Sequence, residues 1–318
     1  KFNPGKQFKI GLVDKKDPSI DYSLIPFEIV EVEELRIPDF EDFYLKYTIT
    51  ELSTSVKPFY FKHFSKLISE NKSIVYLDPD IMVYDRFNVL EDEIKNNNII
   101  ITPHFTTPIN DDLKQREEDF LNSGLYNLGF LALKKSSETD RMIDWWGERL
   151  KNKAYIALEK GLFTDQIWIN FVPLFFSGVK ILLHPGYNVA YWNLHERKIN
   201  GNAVITDKNE ISKLVFFHYS GYNPEIPEIL SKYQTRYSFD NRPDVVSHFE
   251  SYKNELYRNG FAHFSKIQCL YTLLRDEYVR GRVMTKIKEI PLYKRILRLL
   301  ILRTISYFNI IVDYSVFK

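Results

Sequence analysis

The sequence predicts an α/β fold, a mostly parallel sheet flanked by helices with a helical C-terminal extension. Short β-rich apolar runs alternate with helical stretches up to about residue 220. Beyond Pro224-Glu225-Ile226-Pro227 the strand signal fades and the chain reads as helical, which sets a boundary near residue 235 and divides it into 1–235 and 236–318. The 318 residues are 44% apolar and 27% charged, enough core material for one large domain or two smaller ones. Disordered, collagen-like and disulfide-rich scaffolds are excluded. The single cysteine, Cys269, has no internal partner and fits a reducing compartment.

The elements follow in order. Phe8–Val13 (FKIGLV) reads as a buried strand and Phe27–Val32 (FEIVEV) as an alternating one. From Asp42 to Glu70 the pattern is helical, with Ser53 and Thr54 ahead of Pro58 and apolar Phe59, Phe61, Phe64 and Leu67 at three- and four-residue spacing. Ser73–Leu77 (SIVYL) is an apolar strand that stops abruptly at Asp78-Pro79-Asp80. Asn98–Thr102, Gly129–Leu133, Lys180–Leu183 and Leu214–His218 are further strands, and Thr139–Lys151 is a helix in which Trp145-Trp146 serve packing.

Asp78-Pro79-Asp80 is the sharpest local feature. Two carboxylates at i and i+2 just past a strand can face one crevice if the chain turns there, and Pro79 opposes a continuing central strand. In open α/β sheets ligands bind beyond the strands' carboxyl ends. Hard oxygen donors suit Mg²⁺ or Mn²⁺, which neutralises a diphosphate the aspartates would otherwise repel. Standing alone, such a triplet also describes a solvated turn, but apolar residues flank this one on both sides. Asn127-Leu128-Gly129 opens a strand, with a glycine that lets a ligand approach the backbone. Asp165-Gln166 offers a carboxylate and an amide where a helix can begin. His218 ends the apolar LVFF run, where a neutral imidazole can complete a metal shell begun by the aspartates. The alternating polar and aromatic run Tyr187–Asn193 is a candidate pocket lining through Tyr191 and Asn193.

With these segments the chain resembles the GT-A glycosyltransferases of glycosyltransferase family 8, the group that contains retaining bacterial galactosyl- and glucosyltransferases and glycogenin. The matching stretches are Val75–Val83, Tyr126–Phe130, Asp165–Asn170 and His218–Gly221, within a likeness spanning roughly residues 8 to 225. The resemblance implies a metal-dependent transferase with a nucleotide-sugar donor, foremost a UDP-sugar, and reaction with retention. It implies Mn²⁺ or Mg²⁺ held by Asp78, Asp80 and His218. Asp165 and Gln166 would lie near the anomeric carbon, with Lys57, Asn127, Gly129 and Gly221 around donor or acceptor. Residues 1–235 would be the catalytic domain. Family members open with a strand whose following loop holds the nucleotide base, and this chain reads as starting just before the second strand. The family's Lys-Pro after H-x-x-G is here Tyr222-Asn223-Pro224, so Lys57 or Arg197 would supply the cation at the diphosphate. The competing readings are a nucleotidyltransferase, for which no glycine-rich basic loop is present, and a sugar- or nucleotide-binding module without transferase activity.

The formal net charge of +1 conceals two parts. Arg280–Lys318 carries +7 and the first 279 residues carry −6. From Pro291 the tail can form an amphipathic helix with Lys294, Arg295 and Arg298 on one side, although Arg303 falls on the other. That pattern fits a dock onto anionic lipid at the inner face of the cell membrane by an otherwise cytoplasmic enzyme, bringing it to a saccharide or lipid-linked acceptor of surface polysaccharide or glycolipid synthesis. The bland alternative is a helix packed on the body. Ile296–Val312 is too short and too interrupted to span a bilayer. A basic cluster this apolar does not track phosphates, which argues against nucleic acid.

Overall fold

The structure is a computed structural model that describes residues 2–289, with side chains to Arg282. The basic tail from Pro291, with its expected amphipathic helix, lies outside the described residues. Strand β1 (Lys9–Leu12) pairs in parallel with β2 (Glu28–Glu31). Phe8 and Ile10, expected inside a buried strand, stay substantially exposed because β1 pairs only with β2 among the described strands.

The helical region after β2 is three short helices, α1 (Phe40–Lys46), α2 (Ile49–Ser55) and α3 (Lys57–Ser65). Thr48 starts α2 through a capping box, its backbone N–H donating to the Glu51 carboxylate at 2.8 Å. Pro58, in the first turn of α3, has no backbone donor to lose there and sets the new start.

The central sheet begins with β3 (Ser73–Leu77), after which β4 (Ile81–Val83) leaves for a separate pairing. Helix α4 (Asn88–Asn96) leads into β5 (Ile99–Pro103), and α5 (Glu117–Ser123) into β6 (Tyr126–Lys134). Ile99, Ile100 and Ile101 are fully buried, which explains the unbroken apolar run of β5. Helix α6 (Ser137–Lys153) is capped by Ser136 and packs Met142, Ile143, Trp146 and Leu150 into the core. The small hairpin of β7 (Ile156–Ala157) and β8 (Leu162–Phe163) precedes α7 (Gln166–Ile169) and α8 (Val172–Phe175). Strand β9 (Val179–Ile181) completes the order β3-β6-β5-β9. Because β6 is antiparallel to both its neighbours and β9 is parallel to β5, three of the four strands run one way. The α/β class and the mostly parallel sheet follow the sequence expectation, with β6 as the reversed member.

Three short strands in 197–213 have no counterpart in the sequence reading. They are β10 (Arg197–Asn200), β11 (Ala203–Thr206) and β12 (Ile211–Lys213), joined as an antiparallel meander. Strand β13 (Phe216–His218) then pairs antiparallel with β4. The C-terminal helices are α9 (Val246–Arg258), α10 (Phe261–Phe264) and α11 (Leu270–Glu289). They pack onto the sheet-bearing part. Tyr252 of α9 stacks on Tyr219 at 3.9 Å between ring centroids, and Tyr271 of α11 meets Phe40 and Tyr44 of α1. Among the described residues no helix is long and apolar enough to cross a membrane.

Candidate functional site

Strand β3 ends at Leu77, and the Asp78 N–H donates to the Gly129 carbonyl at 2.8 Å, which ties the chain to β6 as it leaves the sheet. Pro79 sits in the following turn, closed by the Ile81 N–H on the Asp78 carbonyl at 3.1 Å. The β4–β13 register sets Ile81 opposite His218, and the Tyr219 N–H donates to the Asp80 carbonyl at 2.8 Å. His218, from a distant part of the sequence, thereby lands beside the Asp-Pro-Asp turn. Ligand atoms of Asp78, Asp80 and His218 lie within 4.8 Å of one another. The His218 Nε2 is 2.9 Å from Asp80 Oδ1 and 3.9 Å from Asp78 Oδ2. Burial pushes the Asp80 carboxyl up, but the hydrogen bond and charge of His218 outweigh it and hold the group below the usual carboxylate range. Two carboxylates and an imidazole converging on one point can hold a divalent cation, and this donor set fits Mn²⁺ or Mg²⁺.

The imidazole of His218 is held from behind. Its Nδ1 lies 3.2 Å from Asn127 Oδ1, which also accepts from the Gly129 N–H at 3.2 Å. A carbonyl oxygen only accepts, so Nδ1 donates and Nε2 is the nitrogen turned to the aspartates. Gly129 therefore has a different task from the one expected. A Cβ there would lie 2.4 Å from His218 Cε1, so the open space accommodates this ring rather than a ligand. Asn127 is buried, and its amide faces His218 and His104. The β5–β6 register shifts between Ile101 and Thr102, next to the Thr102–Asn127 pair, a local irregularity of the kind that aims side chains.

Lys57, at the start of α3, is the second hub. Its Nζ lies 3.0 Å from Asp165 Oδ2 and 3.5 Å from Asp78 Oδ1, and it donates to the Leu128 carbonyl at 3.1 Å. Burial would lower the Lys57 ammonium, but Asp165 and then Asp78 raise it further, so it stays charged. Burial raises the Asp165 carboxyl, and Lys57 offsets part of that. The Trp146 indole N–H donates to the Asp165 carbonyl at 3.2 Å, so the packing tryptophan of α6 also anchors the site's backbone. Thr164, just before Asp165, is held at φ +46°, a strained position for a residue with a branched Cβ. The Gln166 amide accepts from the Leu128 N–H at 3.1 Å and donates to the Ser123 carbonyl at 2.9 Å, bridging β6 and α5. The Tyr76 hydroxyl donates to Asp78 Oδ1.

Lys57, Asp78, Asp80, Asn127, Gly129, Asp165, Gln166 and His218 thus come together as one connected cluster. Four expected contacts need correction. Arg197 is buried, pairs with Glu196 and donates to the carbonyls of Pro185 and Tyr187 at 2.9 and 2.8 Å, so its guanidinium is engaged inside the fold rather than at a diphosphate. Asn193 is fully buried, donating to the His104 and Asn188 carbonyls at 2.8 Å each and accepting from the Ala190 N–H at 3.0 Å. It locks its own loop. Tyr191 is buried with its hydroxyl on Gln115 Oε1 at 2.9 Å. Gly221 has φ +75° and a Cβ there would meet Ser231 Oγ at 2.6 Å, so it serves a tight turn. From the same aromatic run it is Trp192 that reaches the site, edge-on to both His218 and His104 at 5.1 Å. His104 was missed, although its position just past the apolar run of β5 resembles that of His218 at the end of β13.

No protein-family model matches the chain. Two uncharacterized proteins of Bacillus subtilis (strain 168) are similar to it. YfnF is 25% identical over 234 residues, covering 67% of this chain and 73% of its own length. YfnD is 21% identical over 206 residues, covering 62% of this chain and 63% of its own. Among solved structures, the galactosyltransferase LgtC, crystallised with donor and acceptor sugar analogs, overlays with a TM-score of 0.41 and 14% identity across 79% of this chain and 86% of that one.

Proposed function

We propose that the protein is a divalent-metal-dependent glycosyltransferase of the GT-A type, moving a sugar from a nucleotide-sugar, foremost a UDP-sugar, to a saccharide or lipid-linked acceptor with retention. The observation that supports this best is the convergence of Asp78, Asp80 and His218 at the end of β3, with the buried Lys57–Asp165 pair directly behind. Breaking a sugar–diphosphate bond puts negative charge on the leaving phosphate and positive charge on the anomeric carbon. A divalent cation bound by the three ligands supplies charge neutralisation and a template for the diphosphate. The chain's own groups do the rest. Asp78 and Asp80 would hold the cation against which the donor's phosphates are oriented, and His218 would complete the ligand set from β13. Asp165 and Gln166 supply a carboxylate and an amide dipole on the side where positive charge develops.

Retention is favoured by the state of Asp165. Buried and paired with Lys57, it is poorly placed as a free base for an incoming hydroxyl, which leaves the departing phosphate oxygen to take the acceptor's proton. The Lys57 ammonium balances the local carboxylates and offsets part of the upward push that burial gives the Asp165 carboxyl. Calorimetric titration with UDP and Mn²⁺, followed by hydrolysis of a panel of nucleotide-sugars, tests the proposal. Metal-dependent UDP binding with turnover of one donor is the expected result. Binding without hydrolysis or transfer of any donor points instead to a binding module, and no binding of nucleotide at all overturns both.

A further inference from the structure

His104, a buried histidine immediately after β5, lies behind the proposed ligands and apart from the Lys57 hub. Its Nδ1 lies 3.1 Å from the Leu125 carbonyl. That oxygen only accepts, so Nδ1 carries the proton and Nε2 presents a lone pair. Nε2 in turn lies 3.5 Å from Asn127 Nδ2, the donor end of the amide whose Oδ1 receives the His218 N–H. The Asn127 amide is held at both ends, its Oδ1 by the Gly129 N–H at 3.2 Å and its Nδ2 by His104 Nε2. Leu125 sets the proton on His104, His104 and the Gly129 N–H together set which way the Asn127 amide points, and Asn127 sets the proton on His218 Nδ1. Trp192 stands edge-on to both histidine rings and limits their rotation. Deep burial pushes His104 down to about 3, so it stays a neutral acceptor at ordinary pH.

We propose that His104 is a positioning residue for the metal centre, orienting the Asn127 amide so that His218 keeps its proton on Nδ1 and turns Nε2 to the cation. This rests on the metal-site reading given under the proposed function, but its first consequence is visible without metal. An amide reversed at Asn127 would offer its N–H to Nδ1, and the imidazole proton would then move to Nε2, the nitrogen needed as a metal ligand. Partners that fix the orientation of a ligating histidine typically change metal affinity by about 10–100-fold when removed.

The test uses the full chain with ¹⁵N-labelled histidine, His218 being assigned by comparison with His218→Gln. In the metal-free wild type the His218 Nδ1 resonance is expected at a protonated position, and an unprotonated Nδ1 overturns the proposal outright. His104→Leu removes the acceptor, whereas His104→Gln restores an oxygen near the position of Nε2. In His104→Leu the protonated Nδ1 signal is expected to weaken and Mn²⁺ affinity, followed by electron paramagnetic resonance, to fall about tenfold or more. In His104→Gln both are expected to stay near wild type. Equal loss in both variants, or no change in His104→Leu, overturns the relay. A wild type that binds no Mn²⁺ refutes the metal reading alone, since the nitrogen resonances still decide the role of His104.

Discussion

Gly129→Ala is the most exacting substitution for the site as described. The added Cβ would lie 2.4 Å from His218 Cε1, 2.6 Å from Nδ1 and 2.9 Å from Asn127 Oδ1. To regain ordinary van der Waals contact the imidazole must withdraw by about 1 Å, because β6 lies between two paired neighbours and has little freedom to shift. A displacement of that size stretches the 3.2 Å His218–Asn127 bond past a useful length and pulls Nε2 away from the aspartates. The overpacking costs about 1–3 kcal/mol, and replacing glycine in a strand returns about 0.5–1 kcal/mol, so the net loss of stability is modest. Metal affinity is far more sensitive, with a loss of about 10–100-fold expected from a disturbed ligand support. Urea unfolding of the metal-free protein and Mn²⁺ titration of the same preparations measure the two effects separately. His218→Ala and the double variant complete a cycle, in which Gly129→Ala should cost little further affinity once His218 is gone. If Gly129→Ala binds Mn²⁺ as tightly as wild type, the glycine does not make room for a metal ligand and the reasoning fails.

Asp80→Ala is expected to abolish Mn²⁺-dependent turnover while leaving the melting temperature nearly unchanged, and full turnover with Mn²⁺ supplied refutes Asp80 as a ligand. Lys57→Met leaves the carboxylate of Asp165 buried without its ammonium and should destabilise the protein by about 3–5 kcal/mol in urea unfolding; Lys57→Met with Asp165→Leu should recover much of that, and a double variant no more stable than the single one contradicts the pairing. His104 in the folded protein is pushed down to about 3, against about 6.5 in an unfolded chain, so it costs nothing above pH 7 and loses stability as pH falls below 6.5. Between pH 7 and pH 5 the wild type should lose about 2 kcal/mol more than His104→Gln, and parallel stability curves would count against a neutral buried imidazole. Flotation with anionic vesicles checks the basic tail: the full chain is expected to co-float, and its failure to do so rejects a lipid role.

The parts legible in the sequence are those whose signal is local. The apolar runs of β3, β5 and β13 mark strands directly, and the abrupt end of β3 at Asp78-Pro79-Asp80 marks the site. Lys57 and Asp165 were named from the order of motifs along the chain, and the fold brings the two together beside Asp78. The contacts inside the site were not legible in the same way. Gly129 was read as room for a ligand, yet which atom fills the space depends on the β4–β13 pairing, which joins distant residues. Arg197 and Asn193 have side chains suited to binding, and only the fold shows that their donors are satisfied by nearby carbonyls. The meander of β10 to β12 escaped because its strands are three or four residues long, too short for alternation to register, and β10 and β12 carry charged side chains.

The pairing of β4 with β13 also ties the site to the order in which the chain is made. Asp78 and Asp80 emerge early in synthesis, but His218 reaches them only after the whole central sheet and the meander have been built. Until then the two aspartates are an ordinary acidic turn with little claim on a cation. The complete ligand set becomes available only to a polypeptide that has closed the long loop between β4 and β13, and a bound ion would then act as a fastener across that closure, adding its binding energy to the folded state. Metal occupancy would therefore report that β13 has docked on β4, and chains ending before β13 would be spared from trapping ions or nucleotide in a half-built site.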